Sequence, residues 1–169
     1  VRTIEWCDGT VVTIDQTQLP KKAVNITMKT CEDVADAIRT MKIRGAPLLG
    51  AAAAFALALT AYNSEAKSRE ELENELRQAA ETIRETRPTA VNLFWALDRI
   101  LGKAKSVPGN TKELAAFVVR EANRVADEDA AANRLIGKHG SQLIHDGDVI
   151  LTHCNAGALA AVEYGTALG

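Results

Sequence analysis

Residues 44–62 read RGAPLLGAAAAFALALTAY. Gly45 breaks whatever precedes it. Pro47 suits the first turn of a new helix, where its missing N–H costs nothing. From Pro47 to about Tyr62 the segment is apolar on every side. Such a helix belongs in the middle of a helical layer. The 20 residues between Arg44 and Glu65 carry no charge, which is long enough to raise a membrane span. Pro47 and Gly50 interrupt the run and alanine dominates it, so a buried helix is the expectation and no membrane partner is assigned.

Upstream, residues 2–6 (RTIEW) and 10–14 (TVVTI) are β-rich and flank Cys7-Asp8-Gly9. Asp-Gly between two such runs signals a hairpin. Residues 23–28 (AVNITM) are a third extended run. Thr30 then reads as an N-cap, with Asp33 completing a capping-box variant. Val34, Ala37, Ile38 and Met41 follow at helical spacing, and that helix stops at Arg44-Gly45.

Downstream, Ser68-Arg69-Glu70-Glu71 is a capping box, and Leu72, Leu76, Ala79, Ala80 and Ile83 continue one face. Arg87-Pro88-Thr89 breaks that helix, and another runs from about Thr89 to Lys103. After the loop Pro108-Gly109-Asn110, Thr111 can cap a long helix to about Gly137. Its expected buried stripe is Leu114, Val118, Ala122, Val125, Ala132 and Ile136.

The pattern then changes. His145-Asp146-Gly147-Asp148 is a turn. Val149-Ile150-Leu151-Thr152 reads as a buried strand, because nothing polar alternates in it. Asn155-Ala156-Gly157 would open a small-residue helix to Gly169. Strand, turn and helix are how a doubly wound α/β domain begins. The expected fold is therefore α+β. Residues 1–144 form an N-terminal hairpin and helical domain, and 145–169 begin a Rossmann-like domain whose remainder is absent.

Composition fits one soluble domain or slightly more: 169 residues, 47% hydrophobic and 25% charged. A net charge of -2 offers no basic field for a nucleic-acid backbone. Cys7, Cys31 and Cys154 are an odd set with no pairing motif, which argues against a disulfide scaffold and for a reducing cytoplasm. No basic n-region leads into an apolar stretch at the N-terminus, so no signal peptide is expected.

Three stretches can carry chemistry. In Met41-Lys42-Ile43-Arg44-Gly45-Ala46-Pro47, a glycine turn and a helix N-terminus favour an anion, and Arg44 adds a planar charged fork. A helix corner with a solvated arginine is the plainer alternative. Arg87-Pro88-Thr89-Ala90-Val91-Asn92 repeats the theme, although Arg87 could simply favour the preceding helix dipole. In Thr152-His153-Cys154-Asn155-Ala156-Gly157, Cys154 sits at the end of the expected strand and before the expected helix, whose dipole would lower a thiol pKa. A buried structural cysteine is the alternative there, and it is the reading for Cys7 and Cys31. No metal-ligand spacing, P-loop or dinucleotide fingerprint is present, and no metal or cofactor is assigned. The acidic clusters 70–75 and 127–129 read as solvated helix faces.

At these motifs the chain resembles the N-terminal half of the methylthioribose-1-phosphate isomerase family, which groups with the regulatory subunits of translation initiation factor 2B and with ribose-1,5-bisphosphate isomerase. Arg2-Thr3-Ile4-Glu5-Trp6 after Val1, Ile43-Arg44-Gly45-Ala46-Pro47, Arg87 to Leu97, and Leu151 to Ala160 running on to Gly169 carry the resemblance. It implies aldose–ketose isomerisation of a phosphorylated sugar in methionine salvage, with Arg44, Gly45, Ala46 and Arg87 binding substrate and Cys154 at the reacting centre. It further implies a cytoplasmic homodimer held through the missing C-terminal half. That half would also supply an aspartate general acid, so the chain alone is expected to be inactive. Ribose-1,5-bisphosphate isomerase and a non-catalytic initiation-factor subunit are the alternatives. An intact Cys154 motif favours an enzyme.

Overall fold

Asp8 and Gly9 have φ of 42° and 80°, so both adopt the left-handed conformation that a two-residue hairpin turn needs. They join β1 (Ile4–Cys7) to β2 (Thr10–Ile14), with Trp6 opposite Val11 and Cys7 opposite Thr10. Cys7 is thus the last strand residue rather than part of the turn. β3 (Asn25–Met28) adds to the far side of β2, giving an antiparallel sheet of order β1-β2-β3. The computed structural model describes residues 2–169. Val1, first residue of the opening motif, lies outside them.

Five helices follow. α1 (Cys31–Arg39) and α3 (Arg69–Arg84) start at complete capping boxes, Thr30 with Asp33 and Ser68 with Glu71. α1 ends earlier than its apolar spacing suggests. Met41 lies beyond the C-cap Thr40, has φ 63° and is 40% exposed. α2 (Ala46–Asn63) is the expected all-apolar helix, and Leu48, Phe55, Leu57 and Leu59 are wholly buried in it. α1, α3, α4 (Val91–Ala104) and α5 (Thr111–Gly140) all pack against it. The only helix here long and apolar enough for a bilayer, among the described residues, is therefore already surrounded by protein. Each fully buried Leu or Phe contributes about 1.5–3 kcal/mol from apolar burial, so α2 organises the core.

Two details differ from expectation. The N-cap of α5 is Asn110, not Thr111: its Oδ1 accepts from the Lys112 and Glu113 N–H groups, and Glu113 reaches back to the Asn110 N–H. The buried stripe of α5 stops short as well. Ala132 is exposed and Ile136 is 48% exposed, because the C-terminal turns run past the end of α2.

The largest difference lies after α5. The strand expected at 149–152 is not formed, and Val149 and Leu151 are both 97% exposed. A strand needs a neighbour to take its backbone groups, and no described strand lies beside this one. The helix expected from Asn155 is also absent. Only a short 3-10 turn, Ala158–Ala160, forms there. Residues 156–169 instead fold back on themselves: Ala156 O accepts from the Thr166 N–H at 3.0 Å, and Gly157 bridges to Gly165. The observed fold is α+β, and its Rossmann-like unit is not seen.

Candidate functional site

The loop from Thr40 to Gly45 is pinned from within. Ile43 is fully buried, and its N–H donates to Ala37 O at 3.0 Å. Lys42 donates to Asp36 at 2.9 Å, and that hydrogen bond holds the ammonium above its usual range. Arg44, next to the buried Ile43, is itself exposed.

Gly45 caps α2 with φ 98°, a conformation that disfavours any side chain. It also permits a close approach. A Cβ at this position would lie 2.4 Å from Ala160 Cα. Ala46 and Pro47 then begin the helix with no side-chain cap. The start of α4 at Ala90 is likewise uncapped, and Pro88 and Thr89 fall in the preceding turn instead of the helix. The helices α1, α3 and α5 all carry capping boxes. Thus no side chain caps the helix starts beside the two arginine motifs.

The two arginine motifs converge. Arg87 Nη1 lies 3.1 Å from Met41 Sδ, which seats the second arginine on the corner that carries the first. The starts of α2 and α4 also touch: a Cβ on Gly50 would sit 3.2 Å from Asn92 O. Among the described residues, neither Arg44 nor Arg87 is paired with a carboxylate, a state they share with Arg39, Arg77 and Arg120, whereas Arg2, Arg69, Arg84, Arg99, Arg124 and Arg134 are paired. Two guanidiniums without a carboxylate partner beside two helix starts without side-chain caps are an arrangement suited to an anion.

The cysteine segment reaches this corner through its anchor. Thr3 Oγ1 donates to Ala158 O at 2.9 Å, Gln16 Nε2 donates to Leu159 O at 2.7 Å, and Asp129 Oδ2 accepts the Val162 N–H at 2.8 Å. Burial pushes the Asp129 carboxyl up, while the Val162 and Asn133 hydrogen bonds oppose that shift. Sequence reasoning missed these anchors, and it missed Met41 as the seat of Arg87. Six residues of chain separate Cys154 from Ala160, a span of at most ~20 Å. Cys154 itself is exposed, with φ 62°, in a turn where Asn155 Oδ1 accepts the Gly157 N–H at 3.1 Å. No helix begins at that turn, so the dipole expected to activate the thiol is not in place. No hydrogen bond joins Cys154 to either arginine among the described residues.

The other cysteines are different. Cys31 is buried beneath α3, and burial pushes its thiol up to about 12. Burial and the neighbouring Glu5 raise Cys7. No cluster of His, Cys, Asp or Glu able to hold a metal ion occurs among the described residues. A groove of about 860 Å³ between Tyr62–Lys67 and the start of α5 lies at the opposite end of α2 from all three motifs.

Residues 42–166 match the family described as "Initiation factor 2 subunit family". The chain is 47% identical to the methylthioribose-1-phosphate isomerase of Desulforudis audaxviator, covering 100% of itself and 48% of that protein. It is 46% identical to the 5-deoxyribose 1-phosphate isomerase of Moorella thermoacetica, covering 99% of itself and 48% of that protein. Solved structures share its fold. The 5-methylthioribose 1-phosphate isomerase of Pyrococcus horikoshii matches with TM-score 0.91 at 45% identity, over 97% of this chain and 46% of that one. A protein from A. fulgidus described as the delta subunit of translation initiation factor eIF-2B matches with TM-score 0.88 at 45% identity, over 99% of this chain and 49% of that one. The chain spans about half the length of the curated relatives it matches.

Proposed function

The chain belongs to the initiation factor 2 subunit family, and we propose that it forms the N-terminal half of an aldose–ketose isomerase acting on 5-methylthioribose 1-phosphate. The product is 5-methylthioribulose 1-phosphate, a step of methionine salvage. The observation that carries this reading is the meeting of Arg87 with the Met41–Gly45 corner at two uncapped helix starts. Relatives named for this activity, identical at nearly half of all positions, support it.

The substrate chemistry explains the parts. The C1 phosphate esterifies the anomeric oxygen, so the ring cannot open as a free aldose does. The enzyme must open a glycosyl phosphate, then move hydrogen from C2 to C1. C2 is oxidised to a carbonyl, C1 is reduced to CH2, and the phosphate stays on C1. Arg44, Arg87 and the backbone at Gly45 and Ala46 bind the phosphorylated sugar, and Cys154 faces the reacting carbons. The hydrogen travels either as a hydride or as a proton through an enediolate-like state.

Residues 1–144 make the hairpin and helical domain in this reading, and 145–169 lead into a Rossmann-like second domain. The exposed Leu135, Ile136, Leu143, Val149 and Leu151 support that division, since they offer apolar surface for the second domain to cover. General acid catalysis, typically worth ~100- to 10,000-fold, comes from the second domain, and so do the dimer contacts. The chain alone therefore turns over little.

A test is reconstitution with the C-terminal half of the Desulforudis audaxviator relative. Ketose should form, and Cys154→Ala should abolish it. Near-normal turnover by Cys154→Ala would remove the thiol from the chemistry. The likeness to the structure described as an initiation-factor subunit favours a second reading, a non-catalytic assembly module. Absence of turnover in a well-folded reconstituted complex would favour that module. Equal turnover of ribose 1,5-bisphosphate would favour the other sugar-phosphate isomerase.

A further inference from the structure

We propose that Met41 is an oxidation site that controls Arg87: hydrogen peroxide converts its thioether to the sulfoxide, whose oxygen then holds the Arg87 guanidinium in place. The effect on turnover rests on the isomerase reading, while the hold on Arg87 does not.

A fixed backbone presents the sulfur. Met41 follows the C-cap of α1, and its N–H donates to Ile38 O at 3.2 Å. The buried Ile43 pins the chain two residues further on. Between these ties Met41 has φ 63° and is 40% exposed, so an oxidant in solution reaches it. The other methionine of the chain, Met28, is 2% exposed and belongs to the hydrophobic core. Access alone therefore selects Met41.

The contact with Arg87 sets the consequence. Arg87 Nη1 lies 3.1 Å from Met41 Sδ. A thioether sulfur is a weak acceptor, so the guanidinium is located there but held lightly. In the oxidation, a sulfur lone pair attacks the peroxide. The S–O bond forms as the O–O bond breaks, and the leaving hydroxide takes the proton of the transferred oxygen to become water. Sulfur gives up an electron pair and the peroxide is reduced. The side chain changes from apolar to polar, and its exposed position means that no burial opposes the change. The new oxygen stands one bond from Sδ and carries partial negative charge. The guanidinium donates to it as a charged donor, which makes a stronger hydrogen bond than a neutral pair. That oxygen then competes with a phosphate for the same N–H groups.

The experiment treats the chain with hydrogen peroxide, then with dithiothreitol to return any cysteine sulfenate to the thiol. Peptide mass spectrometry should show an added oxygen at Met41 at least about tenfold faster than at Met28, whose oxidation waits on opening of the core. By NMR, the Arg87 guanidinium protons should exchange with water about tenfold more slowly after oxidation, the scale of a charge-assisted hydrogen bond, with those of Arg44 unchanged. In the reconstituted enzyme, turnover should fall by about the same tenfold, and methionine sulfoxide reductases should restore it where dithiothreitol alone does not. Met41→Leu should show none of the loss that the reductases restore. Met41→Gln places an amide oxygen near the guanidinium and should slow Arg87 exchange without peroxide. Oxidation of Met28 as fast as Met41, or Arg87 exchange unaltered in both the oxidised chain and Met41→Gln, overturns the proposal. Slowed Arg87 exchange with unaltered turnover upholds the hold on Arg87 and instead removes Arg87 from phosphate binding in the isomerase reading.

Discussion

Gly45 and Ala160 are packed backbone to backbone: a Cβ on Gly45 would lie 2.4 Å from the Ala160 Cα and 2.6 Å from its carbonyl oxygen. This contact ties the arginine corner to the segment that follows Cys154. Gly45→Ala meets both a clash and a strained φ of 98°. It should destabilise the chain by about 1–3 kcal/mol, read by urea denaturation, and should speed hydrogen exchange at the Val162 amide. Unchanged stability and exchange would show that the two segments do not depend on each other.

Asp129→Ala removes the acceptor for the Val162 N–H, a group buried in a residue with no exposed surface. A buried donor left unsatisfied costs about 1–3 kcal/mol. Asp129→Asn keeps an oxygen at that place and should lose less. Hydrogen exchange at residues 158–163 tells the two variants apart.

The cysteines should differ sharply toward an alkylating reagent at pH 8. Cys154 is exposed and should label first. Cys31, buried and pushed up to about 12, is thiolate to only about one part in ten thousand at that pH. It should label only on unfolding. Mass spectrometry of peptides after partial alkylation gives the order directly.

Acid should weaken the α4–α5 contact. Arg99 donates to Glu121 at 2.7 Å and to Glu128 at 3.1 Å. The Arg99 hydrogen bond, the largest cause, holds Glu128 down to about 2, with Arg124 adding to it. Burial works to raise Glu121, but Lys103 and Arg99 together keep it below the usual range. A depressed folded pKa contributes stability above the unfolded value near ~4.3 and loses it as pH falls through the folded one. The melting temperature should therefore drop between pH ~5 and ~2. Arg99→Met should flatten that drop while lowering stability at pH 7, since Glu121 is only 5% exposed and loses one of its two cations. Asp129 works in the opposite sense, because burial raises its carboxyl and acidification relieves it.

The legible parts of the sequence were those with local causes. Asp8-Gly9 specified the hairpin, and Thr30 and Ser68 specified helix starts, because each signal acts within four residues. The apolar run through Phe55 marked the central helix by composition alone. Asn110 was legible too, since Glu113 stands three residues on, yet Thr111 is an equally good cap in isolation. What failed was non-local. Val149–Thr152 has the composition of a buried strand, but a strand exists only with a partner. Ile136 extends an apolar stripe past the point where α2 can cover it. The arginines could be named from the chain, whereas their meeting through Met41 depends on how α1 and α3 end in space.

The central claim is that Arg44 and Arg87 form a phosphate corner for an isomerase. Phosphorus NMR of 5-methylthioribose 1-phosphate with the reconstituted enzyme tests it most directly. The glycosyl phosphate signal should convert to that of a ketose 1-phosphate, and Arg87→Ala should slow the conversion at least about a hundredfold, the loss of about 2.7 kcal/mol of binding to the reacting molecule. Conversion that proceeds unchanged in both Arg87→Ala and Arg44→Ala would contradict the claim.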